Sequence, residues 1–317
     1  MWFRRKEIDM AFLVFLAAIY LVYTAFTVNL FVGIAAVILL VIYLYFKWLP
    51  GFCVAKARNV YPKDPEKALK LFARAEKFRM NIGQMRVYAY YLLREGKVEK
   101  SEEIYKKLLT AGLKPELRLG VRADYAVLLL KTGRHDEAIA ELEDITVHLT
   151  NTTTYGTLGY LYLLKDSVRK AVNYNEEAYD YNSDDPVILD NMTQLYIKLG
   201  DYKKAKKYAD ELIEKKPYFV EAYYDSAYVY MKLGEIEKAK ELIDDAKCCK
   251  ITFMSVVKEE DLNDFLDNIE KGNTDFAHKL GKFSGSDEYT EEDYKNLPEV
   301  EEEKTEEEYY DEDDPFI

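Results

Sequence analysis

The chain has 317 residues but only three cysteines, three histidines and two tryptophans. Cys53, Cys248 and Cys249 do not form a disulfide framework, and the adjacent pair lacks the two-residue spacer of zinc knuckles and redox motifs. His135, His148 and His278 are scattered, with no partner at metal-ligand spacing. There is no phosphate-binding glycine loop, dinucleotide fingerprint, nucleophile elbow or paired-histidine helix. Acidic pairs such as Asp184-Asp185 and Asp244-Asp245 are expected by chance among 57 acidic residues. The reading is therefore a non-enzyme with no cofactor and no metal. Nucleic-acid binding is also disfavoured, because the chain has no basic stripe beyond a basic collar over residues 47–79 and its end would repel phosphate.

Charge is the next absence. Residues 10–46 contain no charged side chain. One helix of that length would run about 55 Å, against a hydrocarbon core of about 30 Å. Two helices, over about residues 10–27 and 30–48, each span roughly 27 Å, and Thr27-Val28-Asn29 is the natural turn between them. A two-helix transmembrane hairpin is the reading. A cleaved signal peptide competes for the first segment, but no small-x-small site precedes the second one. Arg4, Arg5 and Lys6 flank one end, and Lys47, Lys56 and Arg58 flank the other, while the turn has no basic residue. Positive residues stay cytoplasmic, so both termini are expected in the cytosol. The Lys-, Glu-, Ile- and Tyr-rich composition suggests a bacterial cytoplasmic membrane. Pro50-Gly51 either separates the span from the rest or marks where the span runs on.

Beyond the anchor a period emerges. Gly96, Gly133, Gly200 and Gly234 are each followed five residues later by a small residue, namely Ser101, Ala138, Ala205 and Ala239. Asp166 with Ala171 fills the gap, giving spacings of 37, 33, 34 and 34 residues. In residues 186–219, PVILDNMTQLYIKLGDYKKAKKYADELIEKKPYF, apolar residues recur at three- and four-residue steps on either side of Gly200. That pattern is two amphipathic helices joined by a tight turn. Such a hairpin cannot bury its own apolar face, so hairpins stack.

These units resemble tetratricopeptide repeats, in the aromatic, Leu-Gly, Tyr, Ala and Pro pattern exemplified by Tyr155, Leu158, Gly159, Tyr162, Ala171 and Ala178. The resemblance covers five units: 82–118, 119–151, 152–185, 186–219 and 220–251. A half-unit lies within a basic segment, 50–81, after an anchor over 1–49. A capping helix is expected over 252–280 and a disordered acidic tail over 281–317. The fold class is all-α: a transmembrane hairpin, then an α-solenoid, then the tail.

The resemblance implies that the first helix of each hairpin lines a concave groove for a protein or peptide partner. Counting back from each turn places Arg86, Tyr90 and Leu93 there, then Ala123, Val127 and Leu130, then Gly156, Tyr160 and Leu163. Asp190, Gln194 and Ile197 follow, then Tyr224, Tyr228 and Met231. Tyrosines suit peptide capture, with large area and a polar tip. In a chain with 28 tyrosines many simply pack the core, notably Tyr162, Tyr196 and Tyr230. The carboxylate clamp of one chaperone-binding subclass is absent, since only Asn191 matches it. Residues 286–317 carry 16 acidic and 2 basic side chains, whereas residues 47–79 carry nine basic and three acidic. The tail is either a solubilising appendage or an interaction segment, and a weak self-interaction with the basic segment or the groove is one expectation. The functional reading is a membrane-tethered scaffold with its groove in the cytosol. The alternative is an assembly factor with the array outside the cytoplasm.

Overall fold

The computed structural model describes residues 2–165 and 167–281. Asp166 and nearly all of the acidic tail, from residue 282 on, lie outside them. Fourteen helices and no strand occupy the described residues. First come α1 (Trp2–Val28), α2 (Leu30–Val60) and α3 (Pro65–Glu76). Five hairpins follow: α4 (Ile82–Arg94) with α5 (Val98–Thr110), α6 (Pro115–Lys131) with α7 (His135–Thr146), α8 (Thr152–Leu164) with α9 (Val168–Tyr181), α10 (Pro186–Lys198) with α11 (Tyr202–Glu214), and α12 (Val220–Lys232) with α13 (Ile236–Lys247). The last helix is α14 (Glu259–Glu270).

Each hairpin turn is dictated locally. At the end of α10 the Asp201 amide donates to Tyr196 O and the Gly200 amide to Ile197 O, both at 3.0 Å, the two bonds of a Schellman cap. That cap holds Gly200 at φ +72°, where a β-carbon would be strained. The Asp201 side chain then accepts from the Lys204 amide and starts α11. The small residues five positions after the turn lie where the paired helices cross. Ser101, Ala138, Ala171, Ala205 and Ala239 are all 0–1% exposed, and the Ser101 hydroxyl donates to Ala89 O at 2.7 Å.

Stacking leaves the first helices sandwiched and the second helices outside. Ten of the thirteen residues of α10 are buried, against four of thirteen in α11. The interior is filled by side chains such as Phe72, Tyr105, Leu142 and Phe265, all under 2% exposed. Each buried side chain of this size contributes about 1.5–3 kcal/mol.

The N-terminal part behaves differently. Helix α1 ends at Val28, and Asn29 caps α2 with its side chain accepting from the Phe31 amide at 2.8 Å. The Phe26 ring lies so close over Gly33 that a β-carbon there would come within 2.3 Å of it. Helix α2 is long and apolar enough to cross a membrane, and Leu16–Val28 is a shorter apolar run. Its apolar side chains face outward uncovered: Phe31 is 79% exposed, Leu39 66% and Trp48 73%. The pattern changes at Leu49. From there Leu49, Pro50, Cys53, Val54 and Ala57 are buried, and α2 continues through Pro50 without ending. Its last three turns pack on α3, so the half-unit beginning at Asp64 finds its missing first helix in the end of the apolar span. The Phe72 ring of α3 then stacks on Tyr88 of α4, centroids 5.3 Å apart, and joins this hairpin to the repeats.

The crossing register is tested by Ala205→Leu. Overpacking at a fully buried helix crossing should lower the unfolding free energy of the detergent-solubilised chain by about 1–3 kcal/mol. Unchanged denaturant unfolding would contradict the register.

Candidate functional site: the concave face

The first helices together line a cavity of about 440 Å³. Helix α4 contributes Tyr90 and Arg94, α6 Val127 and Lys131, α8 Gly156 and Tyr160, α10 Asp190 and Gln194, and α12 Glu221. The Lys131 ammonium lies 5.8 Å above the Tyr160 ring, and burial lowers its pKa. Asp190 and Asp225 flank Gln194, whose amide donates to both carboxyls at 2.9 and 2.8 Å. Burial, with the nearby carboxylate of Glu221, raises the pKa of both aspartates.

Two segments of the chain cover this face. The loop after α13 forms one side of the cavity and reaches back to the first full hairpin. Lys250 donates to Glu95 at 2.7 Å and lies 4.2 Å above the Tyr61 ring, and the Phe253 amide donates to Arg94 O at 3.0 Å. Tyr61 donates to the same Glu95 carboxylate at 2.6 Å. Partners 155 residues apart thus latch the last hairpin to the first.

The second cover is a strap. After α14 the chain turns at Gly272 and runs without helix to Gly281 along the groove. Tyr228 donates to Phe276 O at 2.8 Å, and Lys232 to Thr274 O at 2.9 Å. The Phe276 ring meets Phe265 edge-on, and His278 sits between Tyr224 and Tyr228 with its Nε2 2.7 Å from Asp225 Oδ1. Burial pushes the His278 imidazole down to about pKa 3, so it is neutral.

The expected groove residues therefore divide. Tyr90, Val127, Leu130, Gly156, Tyr160, Asp190 and Gln194 line the cavity. Tyr224 and Tyr228 face the concave side, but the strap covers them, leaving each 4% exposed. Leu93, Leu163 and Met231, each 1% exposed, belong to the core instead, as do Ala123 and Ile197. Leu93, Leu163, Ile197 and Met231 stand three residues before their turns, where neighbouring helices enclose them, whereas Leu130 at the same position still reaches the cavity. Arg86 is occupied, with its guanidinium forked onto Asp124 at 2.6 and 3.0 Å across two hairpins. Sequence reasoning missed Lys131, Glu221, Asp225, the latch loop and the strap. Lys47, Lys56 and Arg58 are exposed on α2, while the side chains of Arg4, Arg5 and Lys6 lie outside the description. Helix α14 is shorter than the cap expected over 252–280, because the latch takes one end of that range and the strap the other.

Comparison with known proteins agrees with this architecture. The tetratricopeptide-repeat pattern matches residues 196–247. Among solved structures, PilW, a widely conserved type IV pilus biogenesis factor, is 15% identical and aligns with a TM-score of 0.50, covering 68% of this chain and 98% of its own. PilF of Pseudomonas aeruginosa is 15% identical over 70% of this chain and 99% of its own, with a TM-score of 0.48. MamA is 21% identical over 53% and 94%, with a TM-score of 0.40. No curated protein matches the chain. The described residues thus form an all-α solenoid of stacked hairpins, within which residues 196–247 match the tetratricopeptide repeat.

The latch has a defined pH dependence. Burial alone would raise the Glu95 pKa, but hydrogen bonds from Lys250 and Tyr61 outweigh it and hold the carboxyl below its ordinary value of 4.5. A carboxylate depressed on folding stabilises fully above its unfolded pKa and loses that contribution as pH falls through the folded value. Glu95→Gln should therefore melt below wild type at pH 7, and the gap should close as the pH drops through the acid range below 4.5. A gap that stays constant from neutral pH into that range would contradict the latch.

Proposed function

We propose that the protein is a membrane-tethered scaffold that captures an extended segment of a protein partner on the concave face of its repeats, in the cytosol. One observation carries the reading: first helices from five successive hairpins converge on a single cavity that mixes apolar wall with Lys131, Asp190 and Glu221. A peptide offers both kinds of group, so such a cavity suits it. The tether rests on the uncovered apolar surface of α2. A contiguous patch of that kind is not left in water. Helix α2 runs unbroken from that surface to its packing on α3, so the same helix carries the apolar surface and the start of the hairpin stack. The basic residues around the apolar hairpin support a two-span anchor with both termini cytoplasmic.

Two measurements test this. A C-terminal tag should resist protease in intact cells and be digested in inside-out vesicles; digestion from outside would place the array on the other side of the membrane. Tyr90→Ala combined with Thr157→Arg alters the cavity wall without touching the fully buried core. The double variant should recover its crosslinked membrane partner on the order of tenfold less than wild type, with unchanged helical content. Undiminished recovery would remove the cavity from the account.

A further inference from the structure

Four groups on the concave side meet the main chain of the strap. Lys232 donates to the carbonyl of Thr274 and Tyr228 to that of Phe276. The hydroxyls of Tyr224 and Tyr160 interact with the main chain at Lys279 and Gly281. Gly281 approaches Tyr160 so closely that a β-carbon there would come within 2.5 Å of the hydroxyl. Main-chain contacts of this kind hold any extended segment, whatever its sequence, while the pockets between them select side chains. Two pockets are filled. Phe276 lies against Phe265 and Tyr228, with ring centroids 5.2 and 5.8 Å away. Two residues on, His278 reaches Asp225 at 2.7 Å between two tyrosine rings.

The floor beneath the strap is not purely apolar. Beside the rings of Tyr224, Tyr228 and Phe265 it holds buried Asp190, Gln194 and Asp225. Of the five buried side-chain atoms without a hydrogen-bond partner among the described residues, Asp190 Oδ1, Gln194 Oε1 and His278 Nδ1 belong to this contact, the others being Tyr174 Oη and Asn175 Oδ1 in α9. Buried polar groups in a core are normally paired, and groups left unpaired mark an imperfect fit. The strap sits here as a ligand sits, on polar contacts that another chain can supply.

We propose that the concave face between α8 and α12 is a recognition site for an extended segment carrying an aromatic side chain and, two residues later, an imidazole. Residues 272–281 are its internal occupant, and a partner segment of the same pattern displaces them. This proposal rests on the scaffold reading above and specifies the ligand of that same groove. An internal occupant lowers the apparent affinity for an external one in proportion to the fraction of molecules in which the groove is free.

The test uses the full chain in detergent and a capped, fluorescently labelled peptide of residues 272–281, GNTDFAHKLG. The double variant Phe276→Ala, His278→Ala weakens the internal occupant. It should bind the peptide about tenfold or more tighter than wild type. Replacing the phenylalanine and histidine of the peptide by alanine should abolish that binding. Tyr228→Phe in the double-variant background, which removes only the hydroxyl that meets the Phe276 carbonyl, should weaken it. Should the double variant lose helical content, His278→Ala alone keeps Phe276 against Phe265 and gives the same comparison. Equal or absent binding by folded variant and wild type would overturn the proposal and make the strap a structural cap. If the membrane partner is still captured through the cavity in that case, the scaffold reading stands and only the ligand pattern fails.

Discussion

A stack of helical hairpins covers every face of its first helices except the concave one, which has no neighbouring repeat to meet it. Everything distinctive in this molecule follows from how that uncovered face is treated. In an open array α10 and α12 would present a row of side chains to water. Here ten of the thirteen residues in each are buried, including Asp190, Asn191, Gln194 and Asp225. The cover comes from two pieces of the chain's own C-terminal region, the Lys250 latch and the strap through Phe276 and His278. Burying carboxyls without counter-ions drives them toward the neutral form, and the two aspartates and the histidine all shift in that direction. The groove floor is thus a hydrogen-bonding surface in which burial disfavours charge.

The periodic part of the fold was legible because it is local. A glycine at positive φ and an alanine at a helix crossing are demands of the backbone within one hairpin, and Gly200 with Ala205 meets them visibly. The break at Asn29 was legible for the same reason, since a cap needs only its own side chain and the next two residues. Tyrosine was partly legible. Tyr162 and Tyr230 pack rings inside and direct hydroxyls to Glu143 and Asp210, as expected of core positions.

What the sequence did not reveal is non-local. Gly272 followed by Ala277 repeats the turn signal of the hairpins, and the Schellman bonds do form there, yet no second helix follows. Gly281 ends the segment before an amphipathic helix could lengthen. The strap's extended path is then fixed by Tyr228 and Asp225, partners 48 and 53 residues away. The latch is more distant still. The run of α2 past Pro50 was left open by the sequence, because proline disfavours a helix interior but does not forbid it once Cys53, Val54 and Ala57 pack on α3. Of the groove positions three residues before each turn, Leu130 reaches the cavity, whereas Leu93, Leu163, Ile197 and Met231 are enclosed by neighbouring helices that a count along one helix ignores.

The account therefore joins three features along one chain: an apolar span that continues into the solenoid, a concave cavity between successive hairpins, and an internal segment seated in the same groove. The last is the central claim, and amide hydrogen exchange on the full-length protein tests it most directly. Amides of His278, Lys279 and Gly281 should exchange well below the rate of an unstructured peptide, because they meet the hydroxyls of Tyr228, Tyr224 and Tyr160. Exchange of those amides at the rate of an unstructured peptide would contradict the account.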